Sequence, residues 1–320
     1  GNTDSMLRAA STAMRIGICT PILLGNEEMI EKRAKRLGID LEGIEIVNPR
    51  HDREAERRHE FALKLAQKRQ RQGVTYPEAL ENMFDRNYFG MMMVEERLAD
   101  AIICGTYSSN PLPGEIAKEV IGIRPCYKHF ASLHIVDTQK GILFIADTAI
   151  NQSTDEDTLF DIARLARNSV EFFSHDPNIA MISFSNFGSS SMPESVKVHN
   201  VVDRMQAMYP ELPIDGEMTL NYALNQELRD ATFPFTRLKG KKVNTLVFPN
   251  LSAASTAYRM LLEMGVGEAI GPIQMGLNKP VHFINVDTPV RDIVNLVAMA
   301  VLDAAVQQKL EAATCVKVDK

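Results

Sequence analysis

Three short apolar runs in this 320-residue chain end in residues suited to holding a small anionic ligand. Phe144-Ile145-Ala146 leads into Asp147-Thr148-Ala149-Ile150-Asn151. Ile182 leads into Ser183-Phe184-Ser185-Asn186-Phe187-Gly188-Ser189-Ser190-Ser191. Phe248 leads into Pro249-Asn250-Leu251-Ser252. In open α/β sheets ligands bind beyond the carboxyl ends of the strands, so the three ends make one polar crevice if the strands are neighbours. The second loop is the richest. It offers the hydroxyls of Ser183, Ser185 and Ser189, the amide of Asn186, a pliable backbone at Gly188 and a helix start near Met192, whose free N–H groups suit phosphate. A plain capped turn accounts for the same residues, because Ser191 and Glu194 have the spacing of a capping box. Ser153 with Glu156 reads as such a cap.

Two further residues could do chemistry. Arg259 falls on the helix after Asn250 and could meet a phosphate or carboxylate, or simply face solvent. Asp292 falls in the first turn of the last helix, where an acidic side chain favours the helix dipole and could also serve as a base. The arginines at 50, 53, 57 and 58 alternate with acids and read as a salt-laced exposed helix. Gly265-Val266-Gly267-Glu268-Ala269-Ile270-Gly271 has the wrong spacing for a dinucleotide fingerprint and follows a helix, so no nicotinamide site is read there; Gly265 reads as a helix stop. Cys19, Cys104, Cys126 and Cys315 form no Cys-x-x-Cys pair, and the seven histidines form no zinc-type array. Reduced thiols and no metal site are expected.

The elements that must position these residues follow a βαβ rhythm. Strands are expected at Pro21–Leu24, Ile44–Val47, Ala101–Cys104, Ala180–Ser183 and Thr245–Phe248, and helices at about Glu27–Leu37 and Arg53–Gln72. Ser132–Val136 and Gly141–Ala146, joined by Asp137-Thr138-Gln139-Lys140, read as a hairpin. The fold class is therefore α/β with mostly parallel sheets, and Ile123-Arg124-Pro125 is the candidate domain boundary. Met6–Ile16 reads as a helix with no strand ahead of it, which fits a piece of a longer protein. The last helix, about Pro289–Leu310, is apolar on nearly every side between Ile293 and Val306. That fits burial against a sheet and a second subunit, or a central helix of one large domain.

Composition narrows the function classes. An apolar fraction of 45%, a charged fraction of 24% and a net charge of −6 describe a globular chain that is no general binder of nucleic acid or anionic membranes. No apolar run reaches the roughly 20 residues of a membrane helix, and no secretory signal is read. A cytoplasmic protein is expected.

Motifs spread along nearly the whole chain resemble the phosphate acetyl/butyryl transferase family. They are Thr20-Pro21-Ile22-Leu23-Leu24-Gly25, Ala99–Gly105, Phe144–Ala149, Met181–Ser189, Asp215-Gly216-Glu217-Met218 and Gly271-Pro272-Ile273. Ser183-Phe184-Ser185-Asn186-Phe187-Gly188 and Asn295-Leu296-Val297-Ala298 are most similar to the transacetylase-like C-terminal half of the large bacterial malic enzymes. The resemblance implies two three-layer α/β domains of the isocitrate/isopropylmalate dehydrogenase-like kind with a crevice between them. Domain one is expected over 1–124 plus 271–320 and an inserted domain two over 125–270. It also implies a homodimer or higher oligomer.

Active members of the family join coenzyme A and acetyl phosphate. By resemblance, Asp292 matches the family's base and Arg259 a basic residue of the third loop's helix. Asn285 and Val286 stand where the family has Ser-Arg, with Asp287 after them. Valine cannot replace a bidentate phosphate ligand, and a neighbouring aspartate repels phosphate. The resemblance therefore implies a non-catalytic module that binds acetyl-CoA or coenzyme A. Its ligand residues would be Asp147, Ser183, Ser185, Asn186, Gly188, Ser189, Asn250, Arg259 and Asp292. It would regulate malate decarboxylation by an N-terminal malic-enzyme half that carries the NAD(P) and divalent metal. The alternative it leaves open is an active acyltransferase.

Overall fold

The computed structural model describes residues 3–105, 112–285 and 288–318, the side chains of 308–318 excepted. The chain divides into two compact units, Gly1–Gly122 with Leu277–Lys320, and Ile123–Gly276.

The first stretch of unit one runs through α1 (Asp4–Arg15), β1 (Ile22–Leu24), α2 (Glu27–Leu37), β2 (Glu45–Val47), α3 (Ala55–Arg69), α4 (Tyr76–Asn82), α5 (Arg86–Glu95), β3 (Ile102–Gly105) and α6 (Pro113–Val120). Local chemistry accounts for α2. The Asn26 side chain caps it by accepting from the Met29 N–H at 2.9 Å, Glu27 and Glu28 face its positive end, and Lys35 and Arg36 its negative end. Gly38 closes it in the left-handed region at φ 64°. In contrast, α5 is buried from Tyr88 to Val94 and depends on packing.

Unit two holds β4 (Ala131–Thr138), β5 (Gly141–Ala146), α7 (Glu156–Phe172), β6 (Ile179–Ile182), α8 (Pro193–Met208), β7 (Ile214–Met218), α9 (Leu220–Leu224), α10 (Gln226–Thr232), β8 (Thr245–Val247), α11 (Leu251–Glu263) and β9 (Gly267–Met275). Its six-stranded sheet has the order β7-β6-β8-β5-β4-β9. The β4–β5 pair is antiparallel, as a hairpin requires, and β5, β8, β6 and β7 run parallel. One face buries Leu159, Ala163, Val198 and Val202 from α7 and α8 against Phe144, Met181 and Val247. The other buries Ala254 of α11 with Ile145, Ile182 and Leu246. The chain then returns to unit one through β10 (Val281–Ile284) and α12 (Val290–Val318).

Unit one contains two separate two-stranded parallel sheets among the described residues, β1-β2 and β10-β3. Within the single chain the last helix is buried along one face. Ile293, Leu296, Ala300 and Ala304 are buried, but Val301, Leu302 and Val306 face outward, Leu302 being 52% exposed. No helix among the described residues is long and apolar enough to cross a membrane.

The segment from Gly267 is a strand, β9, where the glycines and Pro272 argue against one. Its partner comes too close for any other residue: a Cβ at Gly267 would stand 2.1 Å from the Asp137 carbonyl oxygen. Gly265 does end α11, with φ 66°.

Candidate functional site

The condition set by the sequence is met within unit two. Strands β6, β8 and β5 lie side by side and parallel, so their carboxyl ends open at one edge of the sheet. Lys197 of α8 ties the three ends together. Its Nζ donates to the Thr154 carbonyl after β5 (2.9 Å), the Pro249 carbonyl after β8 (3.0 Å) and Glu194 Oε1 (2.9 Å). The Asn250 amide caps α11 through the Ala253 N–H (2.9 Å) and donates to the same Glu194 oxygen (3.1 Å).

Glu194 is thus turned toward Lys197 and Asn250, and the Ser191 cap does not form. The first residue of α8 is Pro193, and no side chain caps the helix. Likewise Asp155, not Ser153, caps α7, accepting from the Thr158 N–H at 2.8 Å. In both places the helix starts at a different residue from the one the spacing picks out.

The loop after β6 is built on a residue to which the sequence reading gives no role, Glu217. This carboxylate is 0% exposed. Its Oε1 accepts from the Gly188 N–H at 2.8 Å and lies 3.0 Å from Ser185 Oγ. Ser185 Oγ also lies 2.7 Å from Ser195 Oγ. Both oxygens stand as acceptors to the Ser185 hydroxyl, whose single proton serves either Glu217 or Ser195 at a time. Ser183 Oγ is 3.5 Å from Ser195 Oγ, and His199 Nδ1 is 3.3 Å from Glu217 Oε2. The Phe187 N–H donates to the Glu217 carbonyl at 2.8 Å, holding Phe187 at a positive φ of 47°. The Asn186 N–H donates to Ser189 Oγ (3.0 Å), while Asn186 Oδ1 accepts from the Thr219 N–H (2.9 Å). Ser183 and Ser185 are buried, Gly188 and Ser189 exposed, and Phe184 stands 62% exposed at the rim. Two carboxylic acids, Asp215 and Glu217, alternate within the five-residue Ile214–Met218 strand, and that is the signal that marks Glu217 in the sequence.

Asp147 is equally committed. Its buried carboxylate accepts from the Ser132 N–H (2.9 Å), Ser132 Oγ, the Asn151 N–H (2.8 Å) and Asn151 Nδ2 (2.7 Å), shaping the loop after β5. Next to it His134 Nδ1 lies 2.5 Å from Thr148 Oγ1, and its ring stacks on Tyr258 at 3.9 Å. Burial, with a smaller contribution from the Arg259 charge, pushes the His134 pKa down to about 3. Arg259 itself is exposed on α11. The unfolded chain takes up a proton on His134 near pH 6.5, the folded chain only near 3. Stability is therefore lost as pH falls through that window, by about 1.4 kcal/mol per unit. Urea melts at pH 7 and pH 5 should show this slope shrinking in His134→Gln; an unchanged slope would remove His134 as its source.

Asp147, the Ser183–Ser189 loop, Asn250 and Arg259 thus belong to unit two. Asn285 and Asp292 belong to unit one. Asn285 is exposed after β10, its N–H donating to Thr288 Oγ1 at 3.0 Å. Asp292 opens α12 and lies 3.3 Å from Arg291 Nε, a cation with no role in the sequence reading. Val286 and Asp287 lie outside the described residues.

Comparison with known proteins agrees with this architecture. Residues 1–301 match the family described as phosphate acetyl/butaryl transferase. The NADP-dependent malic enzyme of Escherichia coli (strain K12) is 35% identical over 312 residues, a match covering 96% of this chain and 41% of that enzyme. The phosphate acetyltransferase of Bacillus subtilis (strain 168) is 31% identical over 304 residues, covering 95% of this chain and 93% of that enzyme. The crystal structure of a phosphotransacetylase from Streptococcus pyogenes superimposes with a TM-score of 0.84 at 29% identity, covering 96% of this chain and 92% of that one. The chain spans under half the length of the malic enzyme and nearly all of the two transacetylases. With the profile match running through both units, the chain belongs to the phosphate acetyl/butyryl transferase family.

Proposed function

We propose that this chain binds acetyl-CoA as a regulatory module of a malic enzyme, without transferring the acetyl group. The observation that carries the reading is the replacement of the family's Ser-Arg pair by Asn285-Val286, followed by Asp287. Attack of a thiolate on an acyl phosphate needs a base, fixed positive charge on the phosphate and donors at the carbonyl oxygen. Asp292 supplies a candidate base, but Asn285 and Val286 bring no cation. A coenzyme A thioester needs less: hydrogen-bond donors and a cation for its phosphates, and the Ser183–Ser189 loop, the uncapped start of α8 and Arg259 answer to that.

On this reading the NAD(P) and divalent-metal sites belong to the malic-enzyme half of a longer cytoplasmic polypeptide. Acetyl-CoA shifts the equilibrium between two arrangements of a homo-oligomer and so modulates the oxidative decarboxylation of malate to pyruvate. Such a shift requires unequal acetyl-CoA affinity in the two arrangements, and malate-site ligands must alter acetyl-CoA affinity by the same factor. Titration calorimetry is expected to give acetyl-CoA a Kd below about 1 mM, or roughly −4 kcal/mol. No heat at millimolar acetyl-CoA would end this reading. The second reading, an active phosphate acyltransferase, draws on Asp292 and the 31% identity to the Bacillus subtilis enzyme. It predicts steady release of acetyl-CoA from acetyl phosphate and coenzyme A.

A further inference from the structure

Unit one has a cavity of about 380 Å³ beyond the carboxyl ends of β1 and β2. The two strands are parallel, so the chain leaves both at one edge, the place where open α/β sheets hold ligands. Three segments line the cavity: the turn from β1 into α2 at Asn26, the loop 48–50 after β2, and the turn 84–86 between α4 and α5. Its volume falls in the range of small-molecule sites, roughly 300–1,000 Å³.

A buried arginine braces two of these segments. Arg58 of α3 is only 6% exposed. Its Nη1 donates to the Pro49 carbonyl at 2.6 Å and the His51 carbonyl at 2.8 Å, and its guanidinium lies 4.5 Å from the centre of the Phe84 ring. Arg50 Nε donates to the Phe84 carbonyl at 3.4 Å, a second tie between the same segments. Arg53 and Arg57 pair with Glu27 and Glu54, as a salt-laced helix should. Arg50, Arg58 and Arg86 pair with no carboxylate among the described residues. A buried cation without a counter-charge is costly, and an anion in the adjoining cavity offsets that cost.

The other lining groups are donors. Asn26 Oδ1 accepts the Met29 N–H at 2.9 Å and Asn48 Oδ1 the Arg50 N–H at 3.2 Å, which leaves each amide its NH2. Asp85, the one carboxylate among the described lining residues, is committed to capping α5: its Oδ1 accepts the Asn87 N–H at 2.7 Å and the Tyr88 N–H at 3.3 Å. Two guanidinium groups and two amides therefore outweigh one carboxylate, and the charge of Arg58 behind the wall adds to the positive field.

We propose that this cavity binds a small phosphate monoester, with Arg50 and Arg86 on the phosphate oxygens and the Asn26 and Asn48 amides as further donors. A phosphate monoester carries close to two negative charges near neutral pH, which two guanidinium groups match, whereas a carboxylate carries one. The cavity lies wholly within unit one, and the inference does not depend on acyl-CoA binding.

Backbone amide NMR signals test it, with methyl phosphate as the probe at about pH 7.5, where the monoester is a dianion. At constant ionic strength the Gly25, Asn48 and Arg86 signals should move along one saturation curve, with a Kd of about 1 mM. Arg50→Ala and Arg86→Ala should each weaken that binding about 10- to 100-fold, because each removes a charge-assisted contact. Arg86→Lys should recover part of the loss, since it returns the charge without the fork. Both arginines are exposed, so the melting temperature of each variant should stay near that of the parent, separating lost binding from lost structure. The proposal is overturned if methyl phosphate leaves the three signals in place. It is equally overturned if acetate moves them as far at the same ionic strength, or if both alanine variants bind methyl phosphate as the parent does.

Discussion

The double substitution Asn285→Ser with Val286→Arg is expected to raise acetyl transfer between acetyl phosphate and coenzyme A by about 100- to 1000-fold over the unaltered chain. The size follows from what the pair lacks. An arginine fork holds two phosphate oxygens in fixed geometry and neutralises charge as the acyl–oxygen bond breaks, and valine contributes nothing to either. Asn285→Ser alone restores a hydroxyl but no charge, so it should stay near background. Asp292→Asn in the restored protein should abolish the gain, because the thiol then loses its base. The measurement is the rate of thioester formation with both substrates saturating. Two results would sink the reading. One is an unaltered chain that already turns over at about 10 per second, an ordinary enzyme rate. The other is a restored pair that leaves the rate unmoved while acetyl-CoA still binds.

Glu217→Ala is expected to be the most destabilising change near the site, at about 3 kcal/mol, or a fall of roughly 10 °C in melting temperature. Removing this fully buried carboxylate leaves the Gly188 N–H without its acceptor inside the protein and the Ser185 hydroxyl with Ser195 alone. The loop after β6 then loses its shape, and acetyl-CoA affinity should fall with it. Glu217→Gln keeps the volume and one acceptor oxygen, so it should cost about half as much. A denaturant melt of both variants, with calorimetry under folding conditions, separates loss of stability from loss of binding. If Glu217→Ala melts with the parent protein, the carboxylate does not hold the loop.

Much of this was legible in the sequence, and particular residues explain why. The ends of α2 were readable because Asn26, the acidic first turn and Gly38 are local signals that act within a few residues. The three polar strand ends were readable because an apolar run that stops at serine, aspartate or asparagine has few alternatives. Their adjacency was not: Phe144 pairs with Thr245, and Ile179 pairs with Thr245, across long stretches of chain. Lys197 drew no reading from the sequence, because its carbonyl partners lie 43 and 52 residues away. Strand β9 was hidden because glycine and proline weaken a strand statistically, whereas here Gly267 is demanded by the approach of β4. Glu217 was visible only as a contradiction, one of two acids in a five-residue strand, and its resolution depends on Ser185 and Gly188, which fold next to it.

The Lys197 ammonium bears on how this family of loops can change over time. Its three partners come from the loop after β5, the loop after β8 and its own helix, and each sits within 3.0 Å. Inserting one residue ahead of Thr154 or Pro249 moves a carbonyl by up to about 3.5 Å, beyond hydrogen-bond reach. A partly buried charge then loses one of its three oxygen partners. Side chains in these loops are free to drift, but their lengths are bound to one another, so a viable insertion in one must arrive with a matching change in the next.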